Sequence, residues 1–422
     1  MPFDDQISWI LLSASLVVGA FLWLHPLASL VFGIRRPVEP IKPIATGPEA
    51  KIRQSAKFGI IITAWKSGAL VPPLVRSLLA QTHKEYHIFV VADQCVIDSE
   101  ISAHAGISVL YPSTALNSKT RAIDLALDHM ADQFNAAVIF DPDNLASPHF
   151  LAEANKLWQL GFDVIQGKRV AKNAQNQIAQ LDGMGEAYYN FVNRRVPFLL
   201  GGSSAVSGSG MILSVDLYRE ILAEKVFQTD KIIPAEDKLL QVKAIMLGHR
   251  IAFAERALVY DEKITDGSQL ERQRTRWLGS YFIYLPLGFE LLAKGLFRGS
   301  IHWMSFALWF MFPPVVVLIL SASILTLLGL ATAHYAIALG LIISVVAFLT
   351  NYRFAVSQMA PNIQMSHAIR RLPHFVGRLL RALLRIKETK KDFLATSNTH
   401  VLDIHDLDNQ AILSDSPNQE RS

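Results

Sequence analysis

Asp141 and Asp143, separated by Pro142, follow the apolar run of residues 136–140 (Ala-Ala-Val-Ile-Phe). A short, partly β-branched run bounded by turn formers reads as a strand. Residues i and i+2 of an extended segment project to the same side, so both carboxylates can face one small volume at the strand's carboxyl end. A hard divalent cation such as Mg²⁺ takes oxygen ligands, typically one or two carboxylates with substrate phosphates filling the rest. An Asp-x-Asp pair alone is a weak signal, because most such pairs are solvated turn residues. Three further polar clusters accompany this one: Asp93 closing the run 87–93, Glu236-Asp237 just after Pro234, and Gln273-Arg-Thr-Arg276-Trp277.

The elements that must position these groups alternate in kind. Strand patterns at 58–63, 87–93, 107–111, 136–141 and 163–170 are interleaved with helical patterns at 70–80, 119–134 and 148–160. Such alternation predicts an α/β, Rossmann-like domain on a mostly parallel sheet. Ligands of open α/β sheets bind at the carboxyl ends of the strands. Thr63-Ala-Trp65, Asp93-Gln-Cys95 and Asp141-Pro-Asp143 all fall there.

The chain of 422 residues is 51% apolar with a mean hydropathy of +0.28, more than a wholly soluble enzyme needs, so membrane spans are expected. Three are predicted, at about 7–34, 301–330 and 333–350, with Pro313-Pro314 kinking the second. Asp4 and Asp5 ahead of the first argue against a cleaved signal peptide. Basic residues follow the first span, precede the second and follow the third, while the 329–334 turn has no Lys or Arg. The positive-inside rule then places residues 35–300 and the carboxyl tail in the cytoplasm.

The predicted organisation is a membrane helix (1–34), a proline-marked linker (35–56), a catalytic domain (57–300), a membrane hairpin (301–350), a basic amphipathic region (351–397) and a polar, disordered tail (398–422). The amphipathic region suits an anionic leaflet; docking on the catalytic domain is the plainer alternative. Membrane lipids are thus expected partners. A net charge of only +4 gives nucleic-acid binding no global support. The single cysteine, Cys95, excludes an intramolecular disulfide and any multi-cysteine zinc site.

An isolated Asp, an Asp-x-Asp, a Glu-Asp pair and Gln-x-x-Arg-Trp, in that order, resemble the membrane-bound family-2 glycosyltransferases: cellulose, chitin, hyaluronan and poly-N-acetylglucosamine synthases and ceramide glucosyltransferases. The likeness covers roughly residues 55–390, and its last motif is the most specific. It implies a GT-A domain and inverting transfer from a nucleotide sugar, a UDP-sugar by analogy, to a lipid-linked, glycolipid or polysaccharide acceptor. It further implies that Asp93 meets the nucleotide base, although Gln94 stands where a second acid is common. Lys119 matches a basic position that can reach a phosphate, or it is a surface lysine. Asp141 and Asp143 would hold Mg²⁺ or Mn²⁺ against the diphosphate. Arg276, one turn beyond Gln273, can offer a donor fork, and Trp277 a plane for a sugar. Asp237, with Glu236 beside it, is the candidate general base; otherwise the two acids simply favour a helix amino terminus. Ser207-Gly-Ser-Gly210 falls where relatives carry a small-residue motif near the acceptor, or is a plain turn. The competing reading is a catalytically inactive nucleotide-sugar-binding or scaffold protein of the same fold. A Rossmann oxidoreductase is disfavoured because no Gly-x-Gly-x-x-Gly follows the first strand.

Overall fold

The computed structural model describes residues 3–32, 53–130, 132–173, 177–229, 231–363 and 372–385, together with Ile404. Most of the predicted linker, nearly all of the predicted tail, and Arg370, Arg371, Lys387, Lys390 and Lys391 lie outside the described residues. Helix α1 (Phe3–Phe32) precedes the domain, which opens β1 (Phe58–Trp65), α2 (Val71–Leu79), β2 (Tyr86–Asp93), α3 (Ser99–Ser102), β3 (Ile107–Leu110) and α4 (Lys119–His129). It continues β4 (Ala136–Phe140), β5 (Leu145–Ala146), α5 (Phe150–Gln159), β6 (Val164–Ala171), α6 (Gln177–Tyr189) and α7 (Val196–Leu199). Then come β7 (Met211–Ser214), α8 (Val215–Leu222), α9 (Glu236–Met246), β8 (Ile251–Asp261) and the long α10 (Gly267–Arg298). Helices α11 (Ile301–Phe310), α12 (Val315–Ala331), α13 (Tyr335–Met359) and α14 (Leu372–Leu384) complete it.

The eight strands form one sheet in the order β3-β2-β1-β4-β7-β6-β8-β5. Four of the seven pairings are parallel, so the predicted parallel character holds for the first half and gives way to a mixed sheet beyond β4. Side chains of a strand alternate between faces. Ile60, Ile62, Val90 and Val138 belong to one core cluster, Ile61, Val91 and Ile139 to the other. Burial on both faces explains why these strands read as unbroken apolar runs.

Register brings the chemistry together. Trp65 lies opposite Asp93, and the β1–β4 ladder closes at Ile62 opposite Phe140, one residue before Asp141. Because β7 runs antiparallel to β4, its first residue Met211 pairs with Ile139. That delivers the preceding Ser207–Gly210 turn to the same sheet edge. Strand β8 runs parallel to β6 and ends with Asp261 opposite Ala171, after an irregularity between Gly167 and Lys168.

Among the described residues two helices, at Ser8–Val31 and Tyr335–Met359, are long and apolar enough to cross a membrane. The third candidate is the pair α11 and α12, bent by 77°; counting it as one span makes three. The predicted 301–330 span is thus present as two helices that meet at the predicted Pro313-Pro314 kink. Neither Pro313 nor Pro314 can donate a helical hydrogen bond, and α11 turns away to dock on the domain. Trp303, Phe306 and Ala307 of α11 share a buried cluster with Leu291 of α10, and Trp309 Nε1 donates to the Val192 carbonyl at 2.6 Å. The last span runs to Met359, beyond the predicted end at 350.

Gly210 is a stitch in this arrangement. Its N–H donates to the Ile139 carbonyl and its own carbonyl accepts from Gly167 N–H, both at 2.8 Å. Its φ is +61°, and a Cβ there would meet Val259 Cγ2 at 2.4 Å. A left-handed non-glycine residue costs roughly 1–2 kcal/mol before any clash. Gly210→Ala is expected to lower the thermal midpoint in detergent by several degrees, read by tryptophan fluorescence; an unchanged midpoint would remove this structural role.

Candidate active site

The Asp141–Asn144 turn is held by its own groups. Asp141 N–H donates to Asn144 Oδ1 at 3.1 Å, and Asn144 N–H returns to the Asp141 carbonyl at 3.1 Å. Asn144 also accepts from Ser209 Oγ and donates to Asp261 Oδ1 at 3.3 Å. One amide thus ties the β4 end, the glycine turn and the β8 end together. The Asp143 carboxyl is buried here, and burial together with the charges of Asp261 and Asp141 pushes its pKa up to about 8.

Lys119 occupies the first position of α4, which Ser118 caps. Its ammonium donates to Asp141 Oδ1 at 2.5 Å and to the Gly208 carbonyl at 2.7 Å. Burial works against that charge, but Asp141, Glu236 and Asp237 outweigh it and raise its pKa. Gly208, at φ +62°, lets the chain pass between the acids and the lysine. A Cβ there would sit 3.6 Å from both Asp237 Oδ2 and Lys119 Nζ.

Glu236 and Asp237 open α9 immediately after Ala235, itself at φ +50°. Both are half-buried because they face the cleft. Burial pushes Glu236 up to about 7, with Lys119 pulling against it and Asp237 adding to it. Asp237 is raised for the same first reason, opposed by Lys238 and Lys119.

At the other end, Asp93 spends its carboxylate on the loop before α4. Oδ1 accepts from Leu116 N–H at 3.1 Å and Oδ2 from Asn117 N–H at 2.7 Å. Trp65 Nε1 and Gln94 Nε2 both donate to Asn117 Oδ1, at 3.0 and 2.6 Å. Gln273, Arg276 and Trp277 project from α10 into the same cleft. Gln273 Oε1 is buried with no partner among the described residues, the condition a ligand hydroxyl or N–H would relieve. The Arg274 guanidinium lies 4.5 Å from the Trp277 ring centre, so one side of that ring is already used. Asp93, Lys119, Asp141, Asp143, Glu236, Asp237, Gln273, Arg276 and Trp277 all line one cleft of about 2670 Å³.

The sequence places Arg169, in Gln166-Gly-Lys-Arg169, at a strand end near the cleft, but sequence reasoning missed the charge network it joins. Arg169 pairs with Asp261 at 2.5 Å and Lys263 with the same carboxylate at 2.8 Å. Glu186 receives Arg194 at 3.0 Å and Lys263 at 3.4 Å, while Lys172 donates to the Asp143 carbonyl at 2.9 Å. The signal was present: Asp261 and Lys263 repeat the i, i+2 pattern of Asp141 and Asp143 at the end of an apolar run.

The glycosyltransferase-like family 2 model matches residues 56–280, more than half of the chain. The chain belongs to that family. It has the GT-A fold, and it is similar to the mannosyltransferase PcManGT of Pyrobaculum calidifontis, solved with GDP-Man and Mn²⁺. The two share 13% identity over 90% of this chain and 100% of that one, at a TM-score of 0.56. Weaker likenesses include S. aureus TarS 1–349 with UDP-GlcNAc, at 14% identity over 79% of this chain and 92% of that one, TM-score 0.39. No curated protein sequence matches.

Among the described residues no cluster of three or more His, Cys, Asp or Glu is placed to hold a metal ion. Asp141 and Asp143 nonetheless fit a divalent cation that takes its other ligands from phosphate oxygens. The Lys119 pair engages Oδ1 of Asp141, and a bound cation would offset the burial and the charges of Asp261 and Asp141 that raise the pKa of Asp143.

The Glu236–Asp237 pair has a spectroscopic consequence. Its folded pKa lies above the ordinary carboxylate value, so folding takes up a proton that the unfolded chain releases. The associated stability is present at low pH and fades as pH rises through about 7. Infrared difference titration should show a protonated-carboxyl band lost near that pH, and Glu236→Gln should diminish it. Loss of the whole carboxyl signal near pH 4 would contradict this environment.

Proposed function

We propose that the protein is an inverting glycosyltransferase. In this reading it moves a sugar from a nucleoside-diphosphate donor, a UDP-sugar, to an acceptor hydroxyl at the cytoplasmic membrane face. The observation that carries the reading is the convergence of Asp141/Asp143, Lys119, Glu236/Asp237 and Gln273/Arg276/Trp277, from four separate segments, on one cleft. An inactive scaffold would have no need to keep two raised acids beside a lysine and an arginine.

In the proposed step the acceptor oxygen attacks the anomeric carbon from the face opposite the leaving group. Asp237 takes the hydroxyl proton as the new C–O bond forms. The bond from the anomeric carbon to the β-phosphate oxygen breaks, and the nucleoside diphosphate departs with the electron pair. Lys119 and Arg276 are positioned to meet the charge that builds on that phosphate, the kind of pre-placed electrostatic stabilisation that dominates many enzymes. Mg²⁺ or Mn²⁺ at Asp141 and Asp143 would neutralise further negative charge when bound. Asp93 acts here by holding the 116–118 loop, and with it Asn117, at the nucleoside end. The basic flank after α1 and the 329–334 turn without Lys or Arg support a cytoplasmic domain.

Two variants separate the roles. Asp237→Asn should cut transfer by about 10²–10⁴-fold, the usual contribution of a general base, while leaving nucleoside-diphosphate binding near its original strength by calorimetry. Arg276→Ala should lose both binding and roughly 10²–10³-fold in turnover, the cost of one pre-placed donor. If Asp237→Asn abolishes nucleotide binding, the residue belongs to the donor site and the base assignment fails.

Metal use is tested separately. Asp143→Asn, or chelator on the unaltered protein, should weaken UDP binding and stop turnover. Full nucleotide affinity and activity in excess chelator would refute a divalent cation at Asp141 and Asp143.

A further inference from the structure

The cleft does not end at the sugar site. A nucleotide-sugar pocket falls within the usual range of about 300–1,000 Å³, and this cleft measures about 2670 Å³. The additional space runs away from the acids as an arm among the membrane helices. Its walls include Phe312 and Pro314 at the α11–α12 break, Ile319 and Leu320 on α12, Leu349 on α13, and Leu380 on α14. Leu320 and Leu349 are 39% and 52% exposed, although each faces a space continuous with the catalytic acids. The 77° bend between α11 and α12 turns α12 away from the domain, and α14 lies against both α10 and α12.

We propose that the acceptor is a membrane lipid with an uncharged, hydroxyl-bearing head, which meets Asp237 while its hydrocarbon tail occupies this arm. The inference rests on the transferase reading above and names the acceptor class within it. Three observations select this occupant. The arm is continuous with the site and bounded by helices of membrane-spanning character, so a lipid can enter from the bilayer side. Its walls are largely apolar, which suits hydrocarbon; a polysaccharide would meet few hydrogen-bonding groups there. The head end holds Asp237, the proposed general base. A phosphate-headed acceptor, being already ionised, would have no use for one. Tyr352, whose ring centre lies 4.6 Å from that of Tyr188 on α6, and the adjacent Arg353 also line the cleft. They lie where α13 meets the domain, a level suited to a lipid head.

The test uses the full chain in phosphatidylcholine nanodiscs, with a diacylglycerol carrying a photoactivatable diazirine in one acyl chain. After illumination, labelled peptides should map to α12, α13 and α14. Excess diacylglycerol should compete, while polyprenyl phosphate and soluble oligosaccharide should not. Leu320→Trp and Leu349→Trp, on different helices, should each lower labelling by roughly tenfold, the low end of what a mis-sized apolar pocket costs. UDP binding by calorimetry should stay unchanged in both, which also reports an intact domain. Labelling spread evenly over the lipid-facing surface, or displaced by polyprenyl phosphate, would overturn the proposal. Failure to bind UDP at all would instead sink the transferase reading, so the two failures are distinguishable.

Discussion

Everything in this site depends on how a dense group of carboxylates is kept in a poorly hydrated wall. Asp141, Asp143, Asp261, Glu186, Glu236 and Asp237 all contribute to it. Isolated buried charges cost several kcal/mol each even after relaxation. The structure answers with two devices. Some acids are matched by cations, as Asp261 is by Arg169 and Lys263. Others, Asp143 and Glu236, are left short of compensation, and burial pushes them up to about 8 and about 7, with Asp237 raised beside them. The first group gives the wall its rigidity. The second keeps the groups that chemistry can use.

Rigidity and access meet at the glycine turn before β7. Gly208 and Gly210 both adopt positive φ, and each does a different job. Gly210 accepts tight packing against Val259 and ties two strands, whereas Gly208 offers its carbonyl to Lys119 at 2.7 Å beside Asp237. A side chain at Gly210 would press on Val259, whereas at Gly208 it is the positive φ that disfavours one. Asn144 completes this junction, and its amide satisfies backbone and side-chain partners from three elements that are far apart in sequence.

The long apolar helices line the same cleft. Helix α11 docks on the catalytic domain through Trp303, Phe306 and the Trp309 hydrogen bond. On α1, the His25 ring stacks on Phe312 with centroids 3.8 Å apart and meets the Tyr188 hydroxyl at 2.7 Å. The acids and the apolar helices therefore share one continuous cleft.

Local sequence was enough for the parts whose signal is local. The run before Asp141 had to be a strand because it is short, apolar and closed by a turn, but the pleat stops at Phe140, and it is the Asp141–Asn144 turn that places the two carboxylates. Glu236 at a helix start after Pro234, and Gln273 and Arg276 one turn apart, were legible for the same reason. Other features are set by non-local pairing, to which periodicity is blind. The antiparallel insertion of β7 between β4 and β6 decides that the Ser207–Gly210 turn reaches the catalytic edge. The cations that balance Asp261 come from β6 and from the segment after β8. A hydropathy run locates the proline break at 313–314 but not the 77° bend there; only the tertiary packing of α11 against α10 sets that angle, because it depends on contacts far apart in sequence.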